Sequence, residues 1–400
     1  MNPGEHHAHL IETASRSASR GIFVMSRYLS RSPQREAARS AVLHRQLQRF
    51  PSRYREAVGS LVMRHPRIAD LAASFPALLF ALAVPRRGFD PAPAIASVIE
   101  GRTLVEVAAA ADLPMWLRKL PPEAFVAPIA ELPDGDLFRR QIANHLPRSP
   151  KHASTWLKIF TDVAAIAHEP AAVWAVREFV RAPVRLNPTR LRLVGLWSWF
   201  SRETATVGYG LIEKPWRPEM RIDAALAAAN AWRTEISLHV NLGPEPIVNM
   251  WLRAGHVAGY DFVPLSSVAS ITSEAKAMKN CLRTYGLGLA HNRSRLWSIR
   301  RDGERVATLR VAIRWKDPLL NIVELEAAGN AKASREIWWA ARQWLHMHDL
   351  STIQLDRPSW GAVPLDRCSW LALWRPYWLA KQRIPDWLPI APSRGALEAL

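Results

Sequence analysis

Cys281 is the residue in this chain best surrounded for nucleophilic chemistry: Lys279 and His291 lie near it in sequence, and Asn280 could orient a base. The periodicity argues for a different role. It predicts a helix from about Glu274 to Tyr285, with Ala275, Met278, Cys281 or Leu282, and Tyr285 on one apolar face. A cysteine there is core material, and the negative end of the helix dipole disfavours its thiolate. A buried core thiol is the first reading; a nucleophile or redox group and a metal ligand are the alternatives. Glu324 and Glu326 alternate along a strand, so both carboxylates share a face and could serve as acid and base. Cross-strand ion pairs with Arg300 or Arg310 are the simpler assignment. Arg300 and Thr308, on one polar face, are candidates to hold a phosphate together. Asn330 after Gly329 reads first as a turn cap.

Other chemistries lack their signatures. Gly208-Tyr209-Gly210 is not followed by the glycine or Gly-Lys that a phosphate cradle needs, and neither HExxH nor paired CxxC occurs. His6, His7 and His9 have no partner ligands at a fixed spacing. No metal and no cofactor is expected.

The elements that must position these residues can be read from the apolar pattern. Arg295–Arg301 and Arg305–Trp315 flank Asp302-Gly303, a hairpin signal. Ala307, Leu309, Val311, Ile313 and Trp315 share one face, with Trp297 and Ile299 as partners. Keeping odd positions opposite odd ones predicts a three-residue loop with Gly303 as the bulge residue. The opposite face carries Ser298, Arg300, Thr308, Arg310 and Arg314, and is expected to be polar, basic and open. A third strand, Leu319–Glu326, follows Asp317-Pro318. A helix from Arg335 to about His348 buries Ile337, Trp338, Ala341, Trp344 and Leu345. Upstream, residues 56–250 read as helical segments cut by prolines, with no fixed-period repeat. Before them, Arg35, Arg39, Arg45 and Arg49 lie around a basic amphipathic helix whose apolar side is Val42, Leu43, Leu47 and Phe50. Downstream, Trp360, Trp370, Trp374 and Trp378 fall among Arg367, Arg375, Lys381 and Arg383 in what reads as an irregular tail. They are the tryptophans best placed to meet a ligand.

Composition bounds the function. The chain has 400 residues, 49% of them hydrophobic, which suits a folded protein of two or three domains. Two cysteines exclude a disulfide framework. The apolar run Phe75–Val84 is too short to span a membrane, and no signal peptide is visible, so a cytoplasmic protein is expected. The formal net charge is +18, and it is localised. Residues 16–55 carry +9, and residues 276–316 carry another +9. Abundant arginine reflects a GC-rich coding sequence; the missing acids do not, and they point to a polyanionic partner.

The run Lys276-Ala277-Met278-Lys279-Asn280-Cys281-Leu282-Arg283-Thr284-Tyr285 resembles the helix motif of the PcfJ-like family. Ser298-Ile299-Arg300, Ala307-Thr308-Leu309 and Gly329-Asn330 resemble its strands and closing turn. The likeness covers about 90 residues. It implies an association with conjugative plasmids and other mobile elements, without an established activity. Asn280 stands where that family usually has His, and Arg310 where it usually has Glu. Both departures favour polyanion contact over a shared enzyme mechanism. The expected fold is α+β. A leader (1–15) precedes helical regions at 16–149 and 150–261. A helix–three antiparallel strands–helix domain (262–350) and a Trp-rich tail (351–400) follow. The expected function is nucleic-acid binding, DNA or RNA, without catalysis, through Arg35, Arg39, Arg300, Thr308, Arg310 and Arg314. A hydrolase or nuclease using Cys281, Glu324 or Glu326, and a protein-interaction adaptor, are the rivals.

Overall fold

The computed structural model describes residues 33–400 apart from 134–138, 141, 143–144, 148, 184–187, 314–318, 350, 356, 360 and 362. The expected leader, Arg314 and Trp360 lie outside the described residues, as does the side chain of Arg35. The chain divides into two compact units, Met1–Thr161 and Asp162–Leu400.

The first unit is helical. Helix α1 (Pro33–Gln48) is followed by α2 (Arg55–Val62), α3 (Pro66–Ser74), α4 (Pro76–Ala83), α5 (Ala92–Glu100) and α6 (Leu104–Ala110). The prolines act as helix starts, since Pro66 and Pro76 occupy first-turn positions where no N–H is needed. Gly101, at φ 85°, closes α5, and a Thr103–Glu106 capping box opens α6. The most apolar run of the sequence becomes α4, buried from Pro76 to Leu82 and stacked through Phe80 on Phe50 and Phe125. Helix α1 has the expected basic side, with Arg39 and Arg45 exposed, but its apolar stripe is only half covered: Val42 is 47% exposed.

Helix α7 (Pro150–Ile166) carries the chain into the second unit. Helices α8 (Glu169–Arg181), α9 (Pro188–Phe200), α10 (Val207–Gly210) and α11 (Ile222–Leu242) precede the sheet. Six strands then form an antiparallel meander: β1 (Gly255–Val257), β2 (Tyr260–Pro264), β3 (Ser294–Arg301), β4 (Glu304–Ile313), β5 (Leu320–Ala327) and β6 (Ala331–Lys332). The expected three strands are β3 to β5, so the count is corrected to six. The three additional strands have three, five and two residues, too short for an alternating pattern to register.

The hairpin keeps odd opposite odd, with Trp297 facing Leu309 and Ile299 facing Ala307. It does so differently from expectation. Arg301 pairs with Glu304 across a two-residue turn, in which Asp302 (φ 51°) and Gly303 (φ 82°) both take the left-handed conformation. The extra residue sits inside the ladder: the register shifts between Ile299 and Arg300, leaving Val306 as the bulge. A two-residue turn matches strand twist, and the bulge restores the buried face.

That face packs on α14 (Arg335–His346), where Trp344 stacks on Phe262 at 4.6 Å between centroids and meets Trp297 edge-on at 4.8 Å. The other face is not open. Helix α12 (Val268–Met278) and α11 lie against it, with Leu238, Ile271, Ala275 and Leu296 forming a second core. Ser298 and Thr308 are consequently buried. The tail is not irregular either. Residues Arg367–Lys381 form α15, capped by Asp366, and a short α16 (Arg394–Glu398) follows. Trp370, Trp374 and Trp378 are buried on α15, so packing replaces the ligand contact considered for them. No helix among the described residues is long and apolar enough to cross a membrane.

Candidate functional site

Helix α12 ends early, and that break builds the site. Lys279 takes a left-handed conformation (φ 51°), closing the helix after Met278. A 3-10 turn, Leu282–Tyr285, and the short α13 (Gly286–Ala290) follow. The expected continuous helix to Tyr285 is thereby corrected. Met278 and Leu282 hold the buried stripe, while Cys281 rotates out and is exposed. The burial and dipole arguments against a reactive thiol do not apply to it.

The sheet supplies the facing residues. Arg310 lies opposite Glu324, and Thr308 opposite Glu326, so alternation places all four on the α12 side. Glu324 joins two of its neighbours. Its Oε2 accepts the Tyr285 phenol at 2.5 Å, and its Oε1 lies 3.3 Å from Arg310 Nη2. The Arg310 guanidinium also stacks over the Tyr285 ring at 4.5 Å, with its Nε buried and unpartnered. The ion pair read from the sequence is therefore present for Glu324 with Arg310. Glu326 makes no ion pair among the described residues. Burial and the adjacent Glu324 carboxylate push the Tyr285 phenol well above its ordinary pKa. Cys281 Sγ lies 3.9 Å from Tyr285 Oη.

A second network abuts the first. Asn280 donates from Nδ2 to Thr308 Oγ1 (3.1 Å), and Thr308 donates to Glu274 Oε1 (3.3 Å). Arg305 donates from Nε to Glu274 Oε2 (2.8 Å). Glu274 is fully buried, so this pairing keeps a carboxylate inside the protein. This role differs from that of the first-turn acid which its place after Ser270, Thr272 and Ser273 predicts. A signal existed: Ile271, Glu274, Ala275 and Met278 fall at one helical face, which put a carboxylate on a buried stripe.

These networks enclose a cavity lined by Asn280, Cys281, Leu282, Tyr285, Thr308, Arg310, Glu324, Glu326 and Asn330. All nine belong to the motifs or the candidate residues singled out in the sequence. Gly329 (φ 68°) and Asn330 (φ 58°) make the closing turn that brings Asn330 to the rim. The cavity measures about 10 Å³, room for one water molecule. Arg300 is outside it, half-buried and donating to Ser298 Oγ at 3.2 Å. Arg300 and Thr308 therefore do not form a joint phosphate site, since Thr308 is buried and engaged with Asn280 and Glu274. No group of three or more His, Cys, Asp or Glu side chains among the described residues is arranged to hold a metal ion.

Comparison with family models, with curated proteins and with solved structures finds no match to this chain.

Proposed function

We propose that this protein is a non-catalytic nucleic-acid-binding accessory factor. The mobile-element setting comes from the PcfJ-like resemblance alone. The observation that carries the binding reading is a set of exposed cations left without acidic partners among the described residues. Lys276 and Lys279 lie at the end of α12, Lys332 in β6 and Arg335 at the start of α14. Two of them stand next to residues that line the motif cavity, since Lys279 adjoins Asn280 and Lys332 follows Asn330 by two positions, while Lys276 lines a neighbouring groove with Thr272 and Glu235. The cavity itself is too small for a substrate, which supports a surface role. Exposed Lys side chains suit sequence-independent phosphate contacts.

The test is fluorescence anisotropy of the full chain on labelled single-stranded DNA, duplex DNA and RNA. The variant Lys276→Glu with Lys279→Glu is expected to bind about tenfold or more weakly on whichever form is preferred. Equal affinity of variant and wild type would remove these lysines from the interface. Binding to none of the three, with capture of a protein partner that survives nuclease treatment, would favour an adaptor.

A second reading has one observation in its favour. The Cys281 thiol is exposed and borders the Tyr285–Glu324 pair, so a thiol-dependent activity would have its proton path through Tyr285 Oη.

A further inference from the structure

A larger groove lies elsewhere in the second unit. It encloses about 390 Å³, within the range of small-molecule sites. Its floor is the face of α11 bearing Arg233, Ser237 and Asn241; Arg283 and Arg394 stand on the other sides. All three arginines are half-buried. Their pairing is unequal. Arg283 is committed through Nη1 to Glu235 (2.7 Å) and, more loosely, to Glu213 (3.5 Å). Among the described residues Arg394 is held by neutral oxygens only, donating from Nη2 to Asn241 Oδ1 (3.3 Å) and to the Val363 carbonyl (2.9 Å). Arg233 has no hydrogen bond or ion pair among the described residues. The groove's own acid is Glu398, which is exposed on α16.

A guanidinium withdrawn from water without a carboxylate is a site prepared for an external anion, because its N–H fork matches carboxylate and phosphate oxygens. Here two such groups converge on one concavity, beside Arg283, whose charge is already committed to Glu235 and Glu213. A phosphate has three oxygens to share among them, whereas a carboxylate has two. We propose that this groove binds a phosphomonoester, with Arg233 and Arg394 as its principal ligands and Glu398 limiting its affinity. This inference does not rest on the nucleic-acid reading, whose lysines belong to other elements. The phosphomonoester can come from a free nucleotide-sized metabolite or from the 5′ end of a nucleic acid.

Isothermal titration of the full chain separates the sources, using AMP against adenosine and a 5′-phosphorylated against a 5′-hydroxyl tetranucleotide. At least one phosphorylated probe is expected to bind about tenfold or more tightly than its counterpart. The pair that shows the difference names the source. Arg233→Ala is expected to abolish that advantage, and Glu398→Gln to increase it. Arg233→Gln, of similar length, repeats the measurement should the alanine variant unfold. No difference within either probe pair, an advantage that survives loss of Arg233, or weaker binding in Glu398→Gln would each overturn the proposal. The Lys276/Lys279 variant is expected to retain the phosphate advantage, so this site and the proposed nucleic-acid surface can fail separately.

Discussion

Cys281 and Tyr285 are four residues apart, and in a continuous helix they would share one buried face. The left-handed Lys279 separates their fates: the thiol goes to solvent and the phenol goes under Arg310 to Glu324. Alkylation tests the first outcome. Both cysteines are exposed, so the measurement needs a Cys368→Ser background. Cys281 is expected to react with iodoacetamide in the native protein, as mapped by mass spectrometry; reaction only after denaturation would mean that it is buried. Glu324→Gln tests the second outcome. It removes the anion that holds the Tyr285 proton, so the phenol is expected to titrate at lower pH than in wild type, read by ultraviolet absorbance. It also leaves the partly buried Arg310 without its carboxylate, and a stability loss of about 1–3 kcal/mol is expected in denaturant melts. Unchanged phenol titration would show that burial alone raises that pKa.

At the scale of elements, helix α8 has an unusual cap. His168 stands at its N-cap and accepts from the Ala171 N–H through Nδ1 at 3.3 Å, which requires a neutral ring. Burial, reinforced by nearby Arg202, lowers its pKa from 6.5 to about 4. The unfolded chain therefore binds this proton more readily than the folded one. The contribution is full above pH 6.5 and is lost as pH falls toward 4. The ring is partly solvated, so the expected loss is about 1–2 kcal/mol. His168→Asn keeps a cap acceptor and removes the titration. Its melting temperature is expected to fall less than that of wild type between neutral and acidic pH, and parallel curves would exclude the effect. This cap was not visible in the sequence, because histidine is no N-cap signal. The same division between strong and weak signals runs through the fold. Strands β3 to β5, helix α14 and the Glu324–Arg310 pair were legible, since alternation and helical spacing extend over many residues there. The break at Lys279 was not, because nothing in a lysine announces a positive φ. Missing that one torsion misplaced Cys281 and closed the helix too late, whereas the polar sheet face was read as open because strand alternation does not reveal that α12 and α11 pack on it. The hairpin shows the milder case: its register followed from the buried side chains, while the loop length depended on where the bulge falls. Gly303→Ala is expected to cost about 1 kcal/mol, because φ 82° strains any side chain, and denaturant melts would read it.

For the whole molecule, the charge of +18 has to be read after the fold has paired it. Within residues 276–316, Arg283, Arg305 and Arg310 are drawn inward to Glu235, Glu274 and Glu324. Their positive charge holds the domain together and is unavailable to a partner. Lys276 and Lys279 are exposed and unpaired among the described residues, as are Arg39 and Arg45 on α1. The distinction has a thermodynamic signature. Each phosphate neutralised by a protein cation releases counterions, so the logarithm of affinity falls with that of salt by about 0.9 per contact on duplex and about 0.7 on single strands. Lys276→Ala with Lys279→Ala is therefore expected to flatten the salt slope by about 1.8 on duplex or about 1.4 on single strands. Arg305→Ala is expected to leave the slope unchanged and instead lower stability, because it strands the fully buried Glu274. Anisotropy titrations across a salt series, paired with denaturant melts, read both effects. If Arg305→Ala flattened the slope and the lysine variant did not, the inward arginines would be the phosphate ligands and the proposed binding surface would be wrong.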